Sequence, residues 1–223
     1  MVFNVAAVPQ PLLECVVETV DQARRAEAAG AARLELCVGL VSGGLTPPSA
    51  LIAAVVEAVS VPVFTMIRPP PGDFVYSDAE LAYAARDADA ARAAGASGVV
   101  LGVLQPGGRV DVTRTRHLIE RAGGLPVTFH RAFDEVADHD AALEDVIATG
   151  AARVLTSGGA ASAVEGADRL RALVEAAGDR IVVMAGGGVR AANVRAVIGR
   201  SGVREVHARF ESDAATRALV DLL

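Results

Sequence analysis

"AAGAARLEL" (28–36), "AAGASGVVL" (93–101) and "ATGAARVLT" (148–156) share one pattern: a helix tail, a glycine, two small residues, then a short apolar run. "GRSGVREVH" (199–207) is a weaker fourth copy. Gly30, Gly95, Gly150 and Gly202 stand where each helix should stop, because glycine accepts the left-handed backbone of a helix C-cap. Between the copies lie "SVPVFTMI" (60–67) and "GLPVTFHR" (124–131), in which Pro62 and Pro126 can open a strand. Two strand types alternating four times predict (βα)2 quarters, and eight strands in unbroken alternation with helices favour a closed, parallel (β/α)8 barrel of the TIM type over an open doubly wound sheet. The spacing predicts strands at 12–16, 33–37, 62–67, 98–102, 126–130, 153–156, 181–185 and 204–207. Helices are expected at 18–29, 48–59, 78–94, 111–122, 139–149, 162–177, 190–200 and 213–222, all within one domain over 1–223. Ser77-x-x-Glu80 and Ser162-x-x-Glu165 read as capping boxes for two of them.

Composition agrees with this layout. The chain is 52% hydrophobic but only 4% aromatic, so its core must be built from Ala, Val, Leu and Ile. No stretch approaches the roughly 20 apolar residues of a spanning helix. The segment "MVFNVAAVPQP" has no basic region of a secretory signal, and two cysteines make no disulfide framework. A reduced, cytoplasmic protein is expected, with no membrane partner. A net charge of −6 without a basic block argues against nucleic acid as a partner. All 21 basic residues are arginines; with no lysine side chain, a Schiff-base mechanism is excluded.

Five of the apolar runs, "RLELC", "VFTMIRP", "VTFHR", "RVLTSGG" and "REVHA", carry or close on a polar residue that a buried strand should reject, and in barrels the carboxyl ends of the strands hold the ligand. "RLELC" carries Glu35, with Arg33 and Cys37 on the same face, and Glu14 has a similar place on the first strand. Such carboxylates need partners, and Arg68 or Arg131 could supply them. "RPPPGDFVYSD" (68–78) should be a stiff loop over the mouth that presents Asp73 and Tyr76. "FHRAFDE" (129–135) is the densest constellation: His130 as general acid or base, Arg131 as an anion clamp, Asp134 as orienting carboxylate. His207 is a second catalytic candidate, whereas His117 and His139 read as surface. "TSGG" (156–159) and "AGGGV" (185–189) are glycine loops before helices, so the N–H groups of Ser157–Gly159 and Gly186–Gly188 are expected to hold an anion opposite Arg68 or Arg131. Ser157, Gly158, Gly186 and Gly187 are thus candidate binding residues. No CxxC, HxH or HExxH metal motif occurs.

"ARLELCVGLVSGGLTPP", "MIRPPPGDFVYSD", "PVTFHRAFDEV", "RVLTSGG" and "VMAGGGVR", in this order, resemble the CutC family of copper homeostasis proteins from about residue 12 to 208. The resemblance implies a cytoplasmic (β/α)8 barrel, a link to copper, and dimers or higher homo-oligomers, with no established reaction. It also implies that Glu14, Glu35, Arg68, Asp73, His130, Arg131, Asp134, Ser157 and His207 surround the mouth. Three departures stand out. Val16 replaces the cysteine usual two residues after the first-strand Glu, with Cys15 on the other strand face. Pro70 and Pro71 replace an Arg and a Gly of the loop. After His207 the chain reads Ala208, Arg209, Phe210 and is shortened before the last helix. Two functions follow as expectations: a copper-binding or copper-handling protein using Cys37, or an enzyme working by acid–base chemistry on a small phosphorylated or carboxylated substrate.

Overall fold

The glycine stops behave as the repeat requires. Gly30, Gly95, Gly150 and Gly202 have φ of 99°, 89°, 86° and 75°, and each ends a helix that feeds a strand. The computed structural model describes residues 10–69 and 72–223. Readings that fall on residues 1–9, Pro70 and Pro71, the start of the chain and two prolines of the long loop, lie outside the described residues. The strands are β1 (Leu12–Val17), β2 (Arg33–Leu36), β3 (Val63–Met66), β4 (Gly98–Leu101), β5 (Val127–Phe129), β6 (Arg153–Thr156), β7 (Val182–Ala185) and β8 (Glu205–Arg209). The helices are α1 (Val20–Ala28), α2 (Ser49–Ala58), α3 (Asp78–Ala93), α4 (Val112–Arg121), α5 (His139–Thr149), α6 (Ala167–Ala177), α7 (Val194–Ser201) and α8 (Asp213–Val220).

All strand pairings are parallel, and β8 closes on β1, giving a (β/α)8 barrel. Alternation along each strand separates two interiors. Leu13, Cys15, Val17, Leu34 and Leu36 face outward into the main core between strands and helices. Val16, Cys37, Phe64, Met66 and Val100 form a second cluster inside the barrel. Phe64 fills the barrel only because β4 starts with Gly98: a Cβ there would stand 2.5 Å from the Phe64 ring. The outer core is built largely of Ala and Val, as the low aromatic content requires.

Helix starts follow local chemistry. Ser77 and Glu80 form the expected capping box of α3, and Thr19, Asp111, Asp138 and Ser212 cap α1, α4, α5 and α8. One expected start is corrected. Ser162 and Glu165 do hydrogen-bond, but α6 begins only at Ala167. The intervening turn brings Gly166 against the β6 loop so closely that a Cβ would lie 1.8 Å from the Ser157 carbonyl oxygen.

Candidate functional site

Parallel register puts Glu14 of β1 beside Arg33 of β2 on one side and His207 of β8 on the other, all facing inward. Arg33 Nε donates to Glu14 Oε2 at 2.5 Å, and Arg33 Nη2 reaches Glu205 Oε2 at 2.5 Å. Arg153 Nε donates to the same Glu205 oxygen at 2.9 Å, and both guanidinium groups lie over the Phe64 ring at 5.1 and 5.2 Å. This ion-pair layer is the floor of the site. It corrects the expectation that Arg68 or Arg131 would balance Glu14: the partner is Arg33, and neither Arg153 nor Glu205 had been singled out as a site residue.

Above the floor stand Glu14, Glu35 and His207, with one ligand-capable atom from each within 4.8 Å of the others. His207 Nδ1 lies 2.8 Å from Glu14 Oε1, so the carboxylate orients the imidazole as in other carboxylate–histidine dyads. Burial pushes the Glu14 carboxyl up, but the His207 hydrogen bond and the Arg33 charge outweigh it and hold it at about 2. Glu35 is 3% exposed, and its Oε2 has no hydrogen-bond partner. Burial, with the Glu14 charge, lifts it to about 7. Burial works against a charged His207, yet Glu35 and Glu14 raise its pKa above the ordinary value. Glu35 and His207 are therefore a neighbouring acid and base, each raised above its ordinary value.

The opposite wall carries His130 at the end of β5. Its Nδ1 accepts the Ala132 N–H at 3.3 Å, its ring lies 4.8 Å from that of Phe74, and its Nε2 is buried without a partner. Burial and the Arg68 charge depress it to about 3. The expected general acid or base near neutrality is thus corrected: His130 is a neutral imidazole, with its proton on Nε2. Gly102 makes room for it, since a Cβ there would lie 2.8 Å from the ring.

Between the walls opens a cavity of about 530 Å³ whose lining includes Glu35, Arg68, His130, Arg131, Gly187 and His207. Arg68 does not offer the anion a fork as expected. Its Nη1 donates to the Ser42 and Gly44 carbonyls and its Nη2 to that of Gly72, stapling two loops. Asp134 corrects a larger expectation. Its carboxylate accepts the Thr156 hydroxyl and the N–H groups of Ser157 and Gly159, and pairs with Arg131 Nε at 2.7 Å. Gly158 N–H donates to Thr156 Oγ1. The nest after β6 is a built anion site that the chain fills with its own carboxylate.

After β7, Gly186 N–H donates to the Thr156 carbonyl, but among the described residues no acceptor meets the N–H groups of Gly187 and Gly188. Gly187 has φ of 100°, and its missing Cβ would lie 3.7 Å from Arg131 Cζ. Half of the expected anion site remains, with Arg131 over it. Asp73 does not line the cavity: it lies on an adjoining surface groove with Gly72, Phe74 and Val75. Tyr76 is buried rather than displayed. His117 is exposed as expected, whereas His139 is half-buried, edge-on to Phe133 at 5.4 Å and packed beneath Gly159.

Monovalent copper finds a poor thiol set here. Monovalent copper is soft and takes thiolate and thioether ligands. Cys37 lies inside the barrel near Met66, but burial and the charges of Glu35 and Glu18 push its thiol far up. Cys15, held at about 12 by burial, faces the outer core, and Val16 occupies the inward position. The two thiols do not converge.

The model of the CutC family matches residues 11–212. A CutC family protein of Xanthomonas campestris is 48% identical over 205 residues, covering 92% of this chain and 85% of the relative. One from Caulobacter vibrioides is 49% identical over 199 residues, covering 89% and 81%. The crystal structure of CutC from Streptococcus agalactiae superposes with a TM-score of 0.85 at 32% identity, over 89% of this chain and 98% of that one. Thiamine phosphate pyrophosphorylase of Pyrococcus furiosus, at 18% identity, a TM-score of 0.65 and coverage of 95% and 94%, shares the fold alone. A barrel with these strand ends and this degree of likeness along nearly its whole length belongs to the CutC family.

Proposed function

We propose that the chain is an enzyme acting by acid–base chemistry on a small phosphorylated or carboxylated molecule. The carrying observation is Glu35: a carboxyl inside a barrel mouth, lifted to about 7, with an unpartnered Oε2, beside the Glu14–His207 dyad. Keeping such a group costs stability, and buried groups tuned toward neutrality cluster where protons are transferred. In this scheme Glu14 orients His207, Glu35 and His207 exchange the proton, and Arg131 with the Gly187 and Gly188 N–H groups grips the anion. Two free cysteines and the absence, among the described residues, of a helix fit to cross a membrane suit a cytoplasmic enzyme. The homo-oligomer implied by the family is part of the proposal, and sedimentation of the purified chain tests it.

The test is ligand-dependent melting with inorganic phosphate, glycerol 3-phosphate and lactate. At about 100 times Kd a bound anion adds ~2.7 kcal/mol, which raises Tm by about 5–10 °C in a chain of this size. Arg131→Gln, at an exposed side chain, should abolish that shift and leave the unliganded Tm nearly unchanged. No shift with any of the three anions in the wild type refutes the proposal. The copper reading rests on the name of the S. agalactiae relative's family and on Cys37 beside Met66. Titration of the reduced protein with Cu(I) against a chelator decides it: a tight site lost in both Cys15→Ser and Cys37→Ser would favour copper handling.

A further inference from the structure

His130 and the Glu35–His207 pair stand on opposite walls of one cavity, since β5 lies across the closed barrel from β1, which β2 and β8 flank. Each wall holds a buried polar atom with nothing to bond: Nε2 of His130 and Oε2 of Glu35. Of the buried side-chain atoms left without a partner among the described residues, these two belong to residues that line the cavity, and a native fold rarely keeps a buried donor or acceptor unpaired without a use for it. One is a hydrogen-bond donor that cannot take a second proton near neutrality, and the other is a carboxyl that can accept one. Arg68 adds a fixed positive charge beside the donor while its own N–H groups are spent on loop carbonyls.

From this juxtaposition we infer that the substrate is a carbonyl compound carrying a phosphate or carboxylate, and that the reaction proceeds by enolisation. Glu35 takes the proton from the carbon next to the carbonyl. The C–H electron pair becomes the new C=C bond, the C=O π pair moves onto oxygen, and the resulting oxyanion accepts the Nε2–H bond of His130. The proton on Glu35, or its equivalent on His207, then returns to carbon, so no oxidant or reductant enters. A neutral imidazole donor matches a developing enolate better than an imidazolium, which would surrender its proton, and this pairing of carboxylate base with neutral histidine recurs in proton-transfer enzymes. The absence of lysine fits, because the carbonyl must then be activated by hydrogen bonding rather than as an imine. This deepens the acid–base proposal above and stands only with it.

The experiment is solvent exchange. The protein is incubated in D2O with dihydroxyacetone phosphate, glycolaldehyde phosphate or pyruvate, and loss of the α-proton signal is followed by NMR. Deuterium should enter at least one of the three, at a rate that Glu35→Gln abolishes and His130→Phe lowers about 10²–10³-fold, the usual effect of removing one oxyanion donor. His130→Gln, which keeps a donor, should recover part of it. Should His130→Phe fail to fold, wild-type protein labelled with 15N-histidine serves: the Nε2–H resonance must shift on adding phosphoglycolohydroxamate, an enediolate mimic. Carbonyl probes that raise Tm but show no exchange overturn enolisation and leave the acid–base proposal standing. If neither they nor glycerol 3-phosphate and lactate bind, both fall.

Discussion

Glu35→Gln keeps the shape of the side chain and removes its ionisation, which makes it the sharpest probe of the site. The wild-type carboxyl rises from an ordinary 4.5 to about 7 because it is buried and lies near the charge of Glu14. Between those two values the folded state holds a proton that the unfolded state releases. For an acid with a raised pKa, stability must therefore fall as pH climbs from about 4.5 to about 7, and stay low above it. The rise corresponds to ~3 kcal/mol. Glutamine carries no such penalty. Relative to wild type, the variant should gain ~3 kcal/mol between pH 4.5 and pH 8, or about 6–12 °C in Tm. Urea unfolding at four pH values across that window gives the difference curve. A buried amide with an unpaired donor adds a cost of its own, but that cost does not depend on pH. The slope of the curve is the diagnostic and its offset is not. A flat difference, or one that favours wild type more strongly as pH rises, would show that Glu35 is ionised at no cost and would remove the basis of the acid–base proposal.

His130 predicts the opposite arm: its depression from 6.5 to about 3 means the folded state refuses a proton that the unfolded state takes, so wild-type stability should fall as pH drops through that window, and His130→Gln should flatten the decline in the same urea series. Asp134→Ala should cost about 3 kcal/mol, measured by urea unfolding at pH 7, because it strands the Ser157 and Gly159 N–H groups and the Thr156 hydroxyl; a loss below roughly 0.5 kcal/mol, the scatter of surface changes, would show that solvent replaces it. Both thiols should resist a disulfide reagent at pH 8 in the folded protein and react only on unfolding, since burial raises both.

The barrel was legible because its signals are local. A glycine that ends a helix and an apolar run of strand length recur at each copy, and local rules suffice to place them. That Arg33, Glu35 and Cys37 share one face followed from strand alternation, and the gathering of Glu14, Glu35, His130 and His207 at the mouth from the polar strand ends and the quarter repeat. Their chemical states did not, because these depend on neighbours far away in sequence. Whether His130 is an acid or a neutral donor is decided by Ala132, Phe74 and Arg68 closing around it. Asp134 and the nest it fills are 22 residues or more apart, and nothing in either segment shows that one occupies the other. The Arg33–Glu14 pair was within reach. Setting "RLEL" of the second strand beside "LLEC" of the first in parallel register puts these residues side by side.

The charges inside the barrel explain why a proton would be mobile there. Glu14 and Glu205 as carboxylates cancel Arg33 and Arg153, to which they are hydrogen-bonded directly or through a shared partner. That leaves Glu35 and His207. With one proton between them they form either carboxylate and imidazolium or carboxylic acid and imidazole, and both arrangements have zero net charge. Moving the proton from one to the other therefore changes no total charge in a site where an uncompensated charge is expensive. Glu35 is lifted by burial and His207 raised by the two carboxylates, so each holds its proton more firmly than an ordinary carboxyl or imidazole. Glu14 has the opposite design, with one state far below the other: the His207 hydrogen bond and the Arg33 charge hold its carboxyl at about 2. In the acid–base proposal the floor of the barrel stays fixed in charge, and the pair above it exchanges a proton with whatever the mouth binds.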